Sequence, residues 1–96
     1  MNEQNEQGVR VVTLTVDRVD DDGSRERGGV FRHKTYAFIP ELNINKYSTV
    51  LWVQGDRPTK GATLRATIRQ GGIRSSQDGT QKTGQYPSDY YWEVVE

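Results

Sequence analysis

A small all-β barrel of five strands is the fold predicted for this 96-residue chain. Three observations predict it. Val, Ile and Thr total 23 residues, whereas Ala and Leu total seven, and side chains branched at Cβ suit a pleated surface. Stretches of apolar/polar alternation recur, separated by Gly, Pro and Asp clusters. No convincing long helix interrupts them. Closing the strands into a barrel removes the exposed edges that invite aggregation.

The elements follow in order. Residues 9–19 place Val12, Leu14 and Val16 on one face and Thr13, Thr15 and Asp17 on the other, a first strand. Asp20-Asp21-Asp22-Gly23 reads as a turn, where Gly supplies positive φ and Asp bonds its own backbone. A polar stretch continues through Gly28-Gly29. The second strand runs from Val30 to Ile39 and stops at Pro40, which has no N–H for a ladder. Residues 41–47 form one helical turn or a loop, being too few for a stable helix. Ser48 to Gln54 is the third strand, followed by a turn at Gly55-Asp56-Arg57-Pro58. The fourth, Ala62 to Gln70, sets Leu64, Ala66 and Ile68 against Thr63, Arg65, Thr67 and Arg69. Residues 71–88 lose all periodicity and read as a long flexible loop before the last strand. That strand, Asp89 to Val95, carries Trp92 for barrel closure. Residues 1–8 read as a flexible N-terminal tail and 9–96 as a single barrel domain. The strand count fits an OB-like or SH3-like barrel, with a small sandwich as the alternative.

Composition narrows the class. Leu, Ile, Val and Phe number 20 of 96 residues, so the core is thin. Cysteine is absent, which removes disulfides and thiolate zinc sites as compensation. No apolar run approaches the ~18–20 residues of a membrane helix, and the polar first residues lack a secretory signal. A cytoplasmic location is therefore expected, with no membrane partner. Net charge is zero but unevenly spread: residues 1–23 sum to −4, residues 24–82 to +7 and residues 83–96 to −3. A basic middle between acidic ends suits a polyanionic partner, or else the charges mix on the folded surface.

The second strand holds the candidate chemistry. In Lys34-Thr35-Tyr36-Ala37-Phe38-Ile39, alternation assigns Thr35, Ala37 and Ile39 to the core and Lys34, Tyr36 and Phe38 to the outside. Outward rings form a platform for bases, each stacked base contributing ~1–3 kcal/mol. Trp52 joins them if Leu51 and Val53 face inward, with Val50 and Gln54 also outside. The opposite arrangement makes Tyr36, Phe38 and Trp52 core filler. Arg32, Lys34, Arg65, Arg69 and Arg74 are the candidate phosphate contacts, with Arg25 and Arg27 nearby in the first hairpin.

These residues carry a resemblance. Lys34-Thr35-Tyr36-Ala37-Phe38-Ile39 resembles the K-G-[FY]-G-F-I motif of the cold-shock family of OB-fold nucleic-acid binders, with Thr35 and Ala37 in place of its glycines. Leu51-Trp52-Val53-Gln54-Gly55 is similar to the start of that family's second motif, V-F-V-H-F, and Gly61 stands where its fourth strand opens. Over residues 34–69 the resemblance implies that Lys34, Tyr36, Phe38 and Trp52 contact bases and backbone.

Catalysis is not expected. His33 is the one histidine and no thiol exists, so a nucleophile–base–orienter set has no basis in the spacing. The Asp20–Asp22 triplet fails the spacing of a calcium loop, and no metal or cofactor is expected. Two functions follow: a non-catalytic module binding single-stranded DNA or RNA through Arg32, Lys34, Tyr36, Phe38, Trp52, Arg65, Arg69 and Arg74, or a protein-interaction barrel that meets a protein partner or its own copy through the same rings.

Overall fold

Alternation of apolar and polar residues builds five strands: β1 (Val9–Arg27), β2 (Val30–Ile39), β3 (Ile44–Gln54), β4 (Thr63–Ile73) and β5 (Tyr90–Val94). The computed structural model describes residues 9–76 and 78–95. The expected tail, residues 1–8, lies outside the described residues. The strands close into a barrel in the order β1-β2-β3-β5-β4. This is the predicted all-β barrel, compatible with an OB-like fold, and it rules out two open stacked sheets.

Closure depends on two features. First, β1 serves two partners. Its first half pairs with β4, from Val9 opposite Arg69 to Thr15 opposite Thr63. From Thr15 onward it pairs with β2. Second, β3 and β5 run parallel, through Leu51 opposite Trp92 and Trp52 opposite Glu93. The inward faces supply Val12, Leu14, Val16, Ala37, Ile39, Leu51 and Ile68, and Trp92 is 2% exposed among them. Its indole N–H, which would be costly to bury unpaired, donates to the Pro87 carbonyl at 2.9 Å. Among the described residues no helix is long and apolar enough to cross a membrane.

Several boundaries differ from the sequence expectation. β1 does not end at the Asp20–Gly23 cluster. That cluster is a bulge, and the chain reverses at Gly28-Gly29, both with positive φ (62° and 83°). Such a two-residue Gly-Gly turn matches the twist of a hairpin. In the bulge, Ser24 Oγ takes the amide of Lys34 at 2.9 Å and donates to the Asp20 carbonyl at 2.9 Å. One hydroxyl thereby replaces the interrupted ladder. A second irregularity at Asp17 keeps Val16 inward while turning Arg18 outward beside Tyr36.

β3 begins at Ile44, not Ser48. A single 3-10 turn, Pro40–Leu42, and Asn43 in the left-handed region (φ 61°) return the chain directly, with Ile44 opposite Ile39. Val50, expected outside, is 2% exposed, at the bottom of a hollow it lines with Arg74, Ser75 and Ser76 among others. Leu64, expected in the core, is 39% exposed at the barrel end.

The connection from β4 to β5 is long, as expected, but it starts only at Arg74, and its described residues are cross-linked by hydrogen bonds. The Arg74 amide donates to Asp89 O at 2.7 Å, the Lys82 amide to Arg74 O at 2.9 Å and the Ser76 amide to Thr80 O at 2.8 Å. Side chains, invisible to hydrophobic periodicity, add to these backbone bonds: Ser76 Oγ donates to the Thr80 carbonyl at 3.1 Å and Thr83 Oγ1 to Asp89 at 3.3 Å.

Candidate functional site

Outward alternation on β2 and β3 sets Lys34, Tyr36 and Trp52 side by side. Lys34 lies opposite Trp52 across the ladder, and Tyr36 opposite Val50. All three are half-buried, while Thr35, Ala37 and Ile39 are fully buried as alternation requires. Trp52 therefore projects outward.

Three adjoining hollows make one groove across this face. The first, about 290 Å³, is lined by Arg25, Arg27, Arg32, Lys34, Trp52 and Tyr91. The second, about 350 Å³, shares Lys34 and Tyr91 and adds Arg18, Tyr36 and Arg74. The third, about 300 Å³, runs from Arg27, Arg32 and Trp52 over Gly71 and Gly72 to Glu93. Each element contributes for a local reason. The β1–β2 hairpin places Arg25 opposite Arg32 and so clusters guanidinium groups on one side. The glycines at 71 and 72 accompany a register shift between β4 and β5. A Cβ on Gly71 would meet the Tyr91 carbonyl at 3.1 Å.

The electrostatics are local rather than global. Arg18, Arg25, Arg27, Arg32, Lys34 and Arg74 line the groove against the single carboxylate of Glu93. Glu93 is shared by Arg32 at 2.9 Å and Arg69 at 3.5 Å. Arg25, Arg27 and Lys34 make no ion pair with another described residue. Behind the groove, Arg57 grips Asp21 through two 2.9 Å hydrogen bonds. That contact holds the Asp21 carboxyl below its usual range and raises the Arg57 guanidinium above its own. Of the three bulge carboxylates Arg57 engages Asp21, while Asp20 accepts from the Gly23 amide.

The Arg18 guanidinium lies 4.0 Å from the centroid of the Tyr36 ring, and the Lys34 ammonium 6.0 Å from it. An exposed cation–π contact contributes ~0.5–1 kcal/mol, less than the ~1–3 kcal/mol of a stacked base. Arg18 is held from its other side by Asp17, whose carboxylate accepts from the guanidinium at 2.8 Å.

The structure brings together Arg32, Lys34, Tyr36, Trp52 and Arg74 of the sequence candidates. Arg74 is also tied inward, to Thr49 Oγ1 at 3.1 Å and Ser88 O at 3.0 Å. Phe38 lies on the outer face of β2 but is not among the residues lining the three hollows. Arg65 is elsewhere, on the β1–β4 side, bonded to Thr13 Oγ1 at 2.9 Å and Glu41 at 3.4 Å. Arg69 reaches the groove margin only through Glu93. Sequence reasoning missed Arg18 and Tyr91. The Asp17 bulge hides Arg18 from a simple period-two reading. Tyr91 was legible, since it alternates with the inward Trp92.

Compared with models of protein families, with curated proteins and with solved structures, the chain matches none.

Proposed function

We propose that this barrel binds single-stranded nucleic acid along the groove, without catalysis. One observation carries the reading: Tyr36, Trp52 and Tyr91 are interleaved with six cations on a single face. Base faces and phosphates alternate along a single strand at short range, and a platform of rings and cations meets both. The general habit of OB barrels points the same way. They take oligonucleotides on the face of strands 2 and 3 and on the loops joining strands 1–2 and 4–5. Here those positions are occupied by Lys34, Tyr36 and Trp52, by Arg25 and Arg27, and by Arg74. The cold-shock resemblance of residues 34–39 and 51–55 is consistent with it. Zero net charge does not oppose the reading, because binding responds to the local field of the groove.

Fluorescence titration with an oligothymidylate tests it. Trp52 is half-exposed in the groove and Trp92 is buried, so stacking quenches the former. Tyr36→Ala and Trp52→Ala should each weaken binding about 5- to 100-fold, the loss of one stacked base. Neutralising three phosphates gives a log–log salt slope near about −2. No binding at low salt, or affinity unchanged in both variants, defeats the proposal. A protein partner captured in its place would favour the interaction barrel, for which Phe31, 50% exposed at the hairpin tip, is the natural anchor.

A further inference from the structure

A fourth hollow, about 360 Å³, opens at the barrel end where β3 begins, lined by Asn45, Lys46, Tyr47, Arg74, Lys82 and Ser88 among others. Three of its residues are cations and none is a carboxylate. Tyr47 is 75% exposed, the most exposed large apolar side chain among the described residues. The Lys46 ammonium stands 5.6 Å from its ring centroid. A ring so little packed adds nothing to the core, yet it is framed by positive charge in a concave setting.

This hollow adjoins the groove at one residue. Arg74 lines both it and the hollow beside Tyr36. The guanidinium is fixed between Thr49 and Ser88, so it stands at the junction as a rigid positive post. Tyr47 and Trp52 lie on one strand, and at ~3.3 Å per residue their Cα atoms are at most ~17 Å apart, since the register of β3 against β2 shifts between Ile44 and Thr49. That span lies within what one small barrel covers, ~4–16 nucleotides.

Resting on the groove reading above, we propose that a bound single strand continues past Arg74 to a second stacking station at Tyr47, where Lys46 and Lys82 take its phosphates. The station serves long strands only; a short strand fills the groove and ends at Arg74. Length selectivity is therefore built into this end of the barrel.

The test uses the whole chain and two oligothymidylates, of about 4 and about 12 nucleotides, followed by fluorescence anisotropy. Tyr47→Ala should weaken the longer oligonucleotide about tenfold, one lost stacking contact, and leave the shorter one unchanged. Tyr47→Phe should retain full affinity for both. Lys46→Ala with Lys82→Ala should reduce the salt slope for the longer strand by about 1.4, two phosphates at ~0.7 each. Circular dichroism checks that the exposed substitutions leave the fold intact. If Tyr47→Ala changes neither length while Trp52→Ala weakens both, the second station is overturned and the groove stands. Equal losses for both lengths in Tyr47→Ala also overturn a station reserved for long strands. If the wild-type chain binds neither length, the groove reading falls and the station falls with it.

Discussion

At Gly23 an added Cβ would fall 2.6 Å from Cδ of Lys34 and 2.8 Å from a carboxylate oxygen of Asp20. The glycine is there because the aliphatic stem of Lys34 lies against it. Its amide also donates to Asp20 Oδ1 at 3.1 Å, which fixes the carboxylate beside it. A methyl group would push the lysine out of register with Trp52 without opening the core. Gly23→Ala is thus expected to weaken oligonucleotide binding severalfold while changing stability by less than about 1 kcal/mol. Parallel titration and thermal melts separate the two effects. A large stability loss with unaltered binding would mean that Lys34 is placed by something else. At this scale the sequence is readable where one parity holds, as with Thr35, Ala37 and Ile39 inward and Lys34 and Tyr36 outward. It stops being readable at the bulges. An extra residue at Asp17 resets the parity of β1, and nothing in residue type alone announces a bulge there.

Among the elements, the β4–β5 connection depends most on side-chain hydrogen bonds. Asp89 accepts from the Tyr86 amide at 3.1 Å and from Thr83 Oγ1 at 3.3 Å. The Tyr86 amide is the main reason its carboxyl is held below the ordinary value of 3.8, with Thr83, Gln85 and Lys82 adding to the effect against partial burial. A depressed carboxylate stabilises the fold above the unfolded-state value and loses that contribution as pH falls through the folded-state value. The melting-temperature gap between the wild type and Asp89→Asn should therefore be full at neutral pH and close as pH falls below about 4. A gap independent of pH would assign the stabilisation to packing. Further along, the Tyr90 hydroxyl donates to Gly84 O at 2.6 Å, and Gly84 sits at φ 80° with that hydroxyl 2.9 Å from where a Cβ would stand. These contacts hold the described residues of the 74–89 segment in place although it looks like an unstructured loop in sequence. Their bonds come from Ser, Thr, Asp and Tyr at spacings with no period.

Over the whole molecule, the core is small enough that single residues matter. Trp92 closes the barrel at the parallel seam between β3 and β5, buried and hydrogen-bonded to Pro87. Trp92→Ala should cost about 3–5 kcal/mol, seen in chemical denaturation as a lower midpoint. A loss under about 1 kcal/mol would show that closure rests on the other strands. The barrel itself was legible, because β-branched composition, five alternating stretches and the need to hide edges converge on closure. The groove was half legible: its rings and Lys34 follow from alternation. The grouping of Arg18, Arg25, Arg27 and Arg32 depends on a hairpin that reverses at Gly28-Gly29, eight residues after the acidic run begins. Arg65 lies apart from the groove, on the β1–β4 side, because residue type does not reveal which flank of a closed sheet a strand's outer face joins.

The way β1 changes neighbours at Thr15 has a consequence for how the chain assembles. One uninterrupted backbone is stitched into β4 through its first half and into β2 through its second, with Thr15 paired to both, so the two pairings are joined through a single strand. A single cooperative melting transition is expected, as for most small single domains. Formation must wait for residues distant along the chain to find one another, which places its timescale among the slow small folds, roughly milliseconds to seconds.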